Sequence, residues 1–300
     1  MKFVTVKAKD SVPFIGVLTP FEDYVLHLKK YFQDMDPSFQ IPETMLELIE
    51  LGESFYEQLT QKISFDRNEI QSYCYSLNEV TFLSPIPRVR KNIMCVGRNY
   101  AEHVKEMGGT ELPEDIIIFT KAPTTVIGHG DEIPLHEDVT DQLDYEGELA
   151  IVIGKRGKGI KKEKALDHVF GYTILNDVTA RDIQYRHKQF FLGKSLDGSC
   201  PIGPSITHKS MIPTPNCLTI TTKVNGEIRQ HSNTRHFIFS VERIIEEISK
   251  GMTLEPGDII ATGTPSGVGK GFQPPKFLKA GDQVEIEIEK LGVLRNTVQK

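Results

Sequence analysis

The sequence has no run of about 20 apolar residues, the length a helix needs to cross a bilayer. Its start, MKFVTVKAKDSVPF, lacks the apolar core that follows the basic residues of a signal peptide. A cytoplasmic protein with no membrane partner is expected. Cysteine is scarce: Cys74, Cys95, Cys200 and Cys217 are widely spaced, form no CxxC pair and fit no zinc pattern with histidine. Buried free thiols are the expected state. An excess of positive charge is missing too. Lys plus Arg number 35 against 41 Asp plus Glu, a formal net charge of −6, which is not the footprint of a nucleic-acid binder. Taken alone, that balance also counts against small anionic substrates, an inference the local motifs reverse.

What is present is ordinary folded-protein composition, with 25% charged and 39% hydrophobic residues in 300, enough for one large domain or two modest ones. Pro85 and Pro87 in LSPIPRVRKN punctuate the chain and place a boundary near residue 88. Residues 1–88 read as a small α+β segment. It has strand-like KFVTVKA and FIGVL, followed by helical spacing of Met45, Leu48 and Ile49. Residues 89–300 are mostly β, with short β-branched runs such as IMCVG, LAIVIG, FGYTIL and LTITTKV. Asn225-Gly226 predicts a type I′ hairpin. Helical patterns are fewer, at 100–107, 161–169 and 241–250 and from an N-cap at Thr179. The alternation of a doubly wound fold is absent.

The strongest chemical signal is DYEGELAIVIG. Glu146 and Glu148 are two apart, so in a strand both carboxylates project to one side, immediately before an apolar run. Two such anions repel unless a cation lies between them; a solvated acidic strand end is the plain alternative. Asp177 ends the strand GYTILND and is followed by a helix opening, a strand-to-helix switch. If it meets the two glutamates, three oxygen donors favour Mg²⁺, Mn²⁺ or Ca²⁺, with structural Ca²⁺ as the competing reading. His103 and Glu106 are three apart in NYAEHVKEM and neighbours on a helix, a general-base pair in outline. Lys194 in LGKSLDG could stabilise developing negative charge. TGTPSGVGK resembles a phosphate loop, but Val268 replaces the second required glycine and Gly271 the Ser/Thr after Lys270. A backbone nest for a carboxylate remains open there.

In order, GRNYAEHVKEM, DYEGELAIVIG, NDVTARDIQ, LGKSLDGSCPIGP, KVNGEIRQ and DIIATGTPSGVG resemble the fumarylacetoacetate hydrolase superfamily over residues 89–300. The resemblance implies an α+β, mainly β fold: a mixed β-sandwich roll for catalysis, with a small N-terminal α+β domain over 1–88. It implies a homodimer, and one Mg²⁺ or Mn²⁺ held by Glu146, Glu148 and Asp177. It further implies a His103–Glu106 dyad on a short helix, an active-site lysine at Lys194, and substrate contacts from Arg98, Arg181, Gln184 and Thr264. The expected partner is a small 2-oxo acid. The expected reaction is C–C cleavage through a stabilised enolate, as 3-acylpyruvate hydrolysis or oxaloacetate decarboxylation. The alternatives are 5-carboxymethyl-2-hydroxymuconate isomerisation with decarboxylation of the related tricarboxylate, and a non-catalytic 2-oxo acid-binding scaffold. Leu196 and Gly198 depart from the usual pattern, and YRHKQFFLG at 185–193 is peculiar to this chain, with Phe190 and Phe191 expected along the substrate tail.

Overall fold

The computed structural model describes all residues except 10, 21 and 22. The apolar run after the acidic pair forms the strand Gly147–Ile153, buried along its length. Successive side chains of a strand point to opposite faces. Leu149, Ile151 and Ile153 accordingly join one core with Ile220, Ile286 and Leu294. Ala150 and Val152 join a second core with Leu48, Ile49 and Leu59. A run apolar on both faces is what a middle layer requires.

That layer is a 12-stranded mixed sheet. Gly147–Ile153 pairs antiparallel with Val169–Asn176 on one side and Ile259–Ala261 on the other. Ile259–Ala261 runs parallel to Ile93–Gly97, whose other neighbour is Ile117–Lys121. In the opposite direction Val169–Asn176 pairs with Cys200–His208, which pairs with Lys2–Ala8. The N-terminal strands Lys2–Ala8, Phe14–Leu18 and Tyr24–His27 thereby continue the large sheet. The helices Met45–Glu50 and Gly52–Lys62 send Leu48, Ile49 and Leu59 into the second core.

A five-stranded sheet supplies the other side of the first core. It contains the hairpin Thr219–Val224 and Glu227–Asn233, whose turn residues Asn225 and Gly226 take φ of 52° and 79°, as a type I′ turn requires. The fold is thus the sheet-dominated α+β architecture that the motifs predict. Two local expectations differ. Residues 161–169 form the 3₁₀ helix Lys162–His168 in place of an α-helix. The helix expected from Thr179 is Arg181–Arg186 with Ala180 as N-cap. Thr179 and Ala180 are drawn into strand pairing with Asp144 and Leu143. No helix among the described residues is long and apolar enough to cross a membrane.

Candidate active site

The register of two antiparallel strands assembles the carboxylates. Gly147 pairs with Asn176 and Glu148 with Leu175, and the Asp177 amide donates to the Glu146 carbonyl at 2.9 Å. Asp177 therefore stands opposite Glu146, with Glu148 two residues along on the same face. Carboxylate oxygens of the three lie within 4.8 Å of one another, and all three residues are buried.

Buried cations surround them. Lys194, on the short helix Phe191–Lys194, places Nζ 2.8 Å from Glu146 Oε2 and 2.7 Å from Asp177 Oδ2. Arg181 Nη1 is 2.7 Å from Glu146 Oε1, and its Nε donates to Asp144 Oδ2 at 2.8 Å. Lys121, at the end of Ile117–Lys121, is fully buried and lies 2.8 Å from Asp177 Oδ1. It donates to the carbonyls of Val178, at 3.0 Å, and Lys194. The Lys121–Asp177 contact is an ion pair off the hydrogen-bonding angle, so Asp177 Oδ1 accepts no hydrogen bond.

Four buried carboxylates thus face three cations, and the imbalance falls on Glu148. Burial opposes ionisation of Glu146, yet Lys194 and Arg181 hold its carboxyl down at about 2. Burial, together with the charges of Asp177 and Glu146, pushes Glu148 well above the usual carboxylate range. Its hydrogen-bond donor is the Gly263 amide, 2.6 Å from Oε2. A buried site with one carboxylate in excess of its cations and only oxygen donors fits a hard divalent cation. Burial disfavours protonation of Lys194, but Asp177 and Glu146 outweigh it and raise its pKa; it is a fixed cation.

The dyad forms on the helix Ala101–Glu106. His103 Nδ1 is 3.0 Å from Glu106 Oε2, and the Gly267 amide donates to Glu106 Oε1 at 2.8 Å. A carboxylate beside Nδ1 accepts its N–H, which keeps the ring proton on Nδ1 and leaves Nε2 with its lone pair. His103 is buried. The loop that failed as a phosphate site is a nest for the protein's own carboxylates. Gly263 donates to Glu148 and Gly267 to Glu106, while Gly269 and Lys270 donate to Asp144 at 2.7 and 3.0 Å.

A cavity of about 250 Å³ brings eight of the ten predicted residues together, with Glu106 and Asp177 behind its wall. Glu146, Glu148, His103, Lys194, Arg181, Gln184, Thr264 and Arg98 all line it, with Val96, Met107, Phe119 and Phe190 as apolar wall. Arg181 Nη1 also donates to Gln184 Oε1 at 3.2 Å, whereas Nη2 is buried with no hydrogen-bond partner among the described residues. Thr264 donates its hydroxyl to the Gly147 carbonyl at 2.9 Å and accepts from Gln230 Nε2 at 2.7 Å, contacts that fix it in the cavity wall. Of the two phenylalanines expected along the tail, Phe190 lines the cavity and Phe191 is solvent-exposed. Lys121, Asp144 and Gln230 were not legible as site residues. The only signal for Lys121 was a lysine closing the apolar strand IIIFTK.

A sheet sandwich holding a buried carboxylate–cation centre with a His–Glu pair in one cavity defines an enzyme rather than a binding scaffold, since binding alone requires no base. Residues 92–299 match the family model described as fumarylacetoacetate (FAA) hydrolase C-terminal, and the chain belongs to that family. It is 51% identical over 302 residues to the protein named oxaloacetate tautomerase YisK of Bacillus subtilis (strain 168), covering 99% of this chain and 100% of that one. The solved fumarylacetoacetate hydrolase of psychrophilic Exiguobacterium antarcticum superposes with a TM-score of 0.83 at 40% identity, over 100% of this chain and 99% of that one. A 5-carboxymethyl-2-hydroxymuconate delta-isomerase from Mycobacterium smegmatis gives 0.75 at 32% identity, over 100% and 98%.

Proposed function

We propose that the chain interconverts the enol and keto forms of a small 2-oxo diacid of the oxaloacetate type, moving a proton on and off the carbon beside the oxo group. The observation that carries this reading is the buried His103, fixed through Nδ1 by Glu106 with Nε2 free, lining the same cavity as the carboxylate–cation centre. Its full-length relative bearing a tautomerase name favours proton transfer over the bond cleavage expected from the motifs alone.

Glu146, Glu148 and Asp177 would hold Mg²⁺ or Mn²⁺, which when bound supplies Lewis-acid stabilisation of negative charge on the oxo and carboxylate oxygens of the substrate. The chain's own residues do the rest. Arg181 Nη2, buried without an acceptor among the described residues, donates to the substrate carboxylate. Lys194 pairs with Glu146 and Asp177 and adds positive potential where charge develops. In the keto-to-enol direction His103 Nε2 takes the proton from carbon, leaving an enolate, and passes it to the enolate oxygen; ketonisation runs the same transfers in reverse, while Glu106 holds the tautomer that makes Nε2 the base. Burial of the dyad limits loss of that proton to bulk water.

Hydrolysis of a 3-acylpyruvate is the second reading, favoured by the apolar wall of Phe119 and Phe190, which suits an acyl tail. Decarboxylation of oxaloacetate draws on the same charge stabilisation without needing the base. The test adds enol-oxaloacetate to protein with Mg²⁺ or Mn²⁺, following loss of the enol's ultraviolet absorbance and pyruvate release together. Accelerated enol loss without pyruvate is expected. Stoichiometric pyruvate would make the enzyme a decarboxylase, and faster cleavage of acetylpyruvate would make it a hydrolase. A homodimer in solution is part of the proposal and is checked by sedimentation.

A further inference from the structure

Two cations at the cavity mouth have no role in the centre just described. Arg98 and Lys188 both line the cavity, both are exposed, and neither has an ion pair or hydrogen bond among the described residues. Both also have unusual backbone. Arg98 takes φ of 57° and Lys188 φ of 55°, two of the five non-glycine residues with positive φ among those described. This region is sterically costly for residues with a Cβ, and its occupants cluster at ligand clamps. One of the other three, Asn225, is explained by its hairpin turn. Lys188 lies just past the helix Arg181–Arg186, inside a tight turn in which the Gln189 amide donates to the His187 carbonyl; no hydrogen bond or ion pair among the described residues accounts for Arg98.

They come from different parts of the chain. Arg98 lies between the strand Ile93–Gly97 and the dyad helix Ala101–Glu106. Lys188 lies between Arg181–Arg186 and Phe191–Lys194, the helices that carry Arg181 and Lys194. The turns leading into the base and into the buried cations thus each contribute a free positive charge to one cavity of about 250 Å³. The buried cations are already committed: Lys194 and Lys121 to carboxylates, and Arg181 to Asp144 and Glu146 apart from one nitrogen. Among the described residues lining the cavity, Arg98 and Lys188 are the cations left to meet a second carboxylate on the substrate, remote from the 2-oxo acid end.

We propose that Arg98 and Lys188 form a clamp for the distal carboxylate, making this cavity selective for 2-oxo diacids over 2-oxo monoacids that end in an alkyl or acyl group. The clamp rests on the proposed function for the identity of the near end and adds to it the recognition of the far end. An exposed guanidinium and ammonium lose little by leaving water for a carboxylate, and a charge-assisted pair contributes selectivity with little effect on the chemistry at the centre.

The test uses non-reacting ligands, so it does not depend on turnover. Malate and 2-hydroxybutyrate share a 2-hydroxy acid end and differ in a terminal carboxylate against a methyl group. Calorimetric titration of each into Mn²⁺-loaded full-length protein gives an affinity ratio. The wild-type ratio is expected to favour malate. Lys188→Met and Arg98→Met should each lower that ratio about tenfold, and Lys188→Arg should restore most of it. Equal affinities in the wild type, or a ratio unmoved by both methionine variants, would overturn the clamp. Selectivity for malate that depends on both cations, in a protein that leaves the enol untouched, would uphold the clamp while removing the tautomerase reading.

Discussion

Lys121 has no charged neighbour in the sequence that would mark it for a site. It meets Asp177, 56 positions on, across the sheet, since its strand lies three places along from Gly147–Ile153. Its charge is fully buried, so removing it leaves part of Asp177 uncompensated and takes one donor from each of two carbonyl groups. Lys121→Met should destabilise the protein by about 3 kcal/mol, read as a lower urea midpoint with unchanged slope. An unshifted midpoint would mean that Lys194 alone balances Asp177. Glu146, Glu148, His103 and Glu106 were legible because their chemistry is encoded in spacings of two and three residues, the periods of strand and helix. Asp144, Lys121 and Gln230 act across long sequence separations, and no local period marks them. Arg181 was legible only through its motif; the structure adds why it must be charged. Burial disfavours its protonation, but Asp144 and Glu146 more than offset that.

Among elements, the loop from Thr262 to Gly271 decides how the site is held. Its backbone amides fix Glu148, Glu106 and Asp144, so one segment orients a metal-binding carboxylate, the dyad and the anchor of Arg181. Two glycines in it separate fold from function. A Cβ at Gly271 would stand 2.2 Å from Glu106 Oε1, the movable end of a side chain. A Cβ at Gly267, where φ is 100°, would stand 1.9 Å from the Arg229 carbonyl oxygen, which is backbone. Gly271→Ala should therefore keep its melting temperature within a few degrees yet lose about 10²-fold in kcat, because Glu106 is pushed off His103. Gly267→Ala should lose stability directly. The same melting loss for both, or full activity in Gly271→Ala, would show that the loop does not hold the dyad. The sequence suggested a carboxylate nest here but not its occupant, which lies on other elements. Thr179 likewise looked like an N-cap by composition and was taken instead by pairing with Asp144, a tertiary contact that local propensity does not contain.

Across the whole molecule, the N-terminal segment is built into the sheet that carries the site. Lys2–Ala8 pairs with Cys200–His208, and that strand pairs with the one ending next to Asp177. His208 marks the junction. Its ring stacks on Tyr56 at 3.4 Å between centroids and meets Phe170 edge-on at 5.3 Å. Burial, then the positive N-terminus and Lys209, lower its pKa from 6.5 to about 3. The unfolded chain therefore binds a proton that the folded chain refuses over that interval. Stability should fall as pH drops below 6.5, by up to about 1.4 kcal/mol per unit, and His208→Asn should flatten the dependence. A slope unchanged in the variant would assign it to other groups. Proline punctuation suggested a boundary near residue 88, whereas strand pairing that crosses it depends on register between distant segments, which composition does not carry. The net charge of −6 also takes a sharper meaning: the acidic surplus includes a buried cluster whose excess anion a divalent cation would offset, leaving the cavity suited to an anion.

The central claim is that His103 moves a substrate proton beside a divalent-metal centre. The most direct measurement is the stopped-flow rate of enol-oxaloacetate ketonisation by wild type and His103→Ala, each loaded with Mn²⁺ to the same measured content. The account predicts a fall of about 10²–10⁴-fold in the variant with metal binding intact, and loss of the wild-type rate on chelation. Equal rates in the two proteins at equal metal content would contradict it.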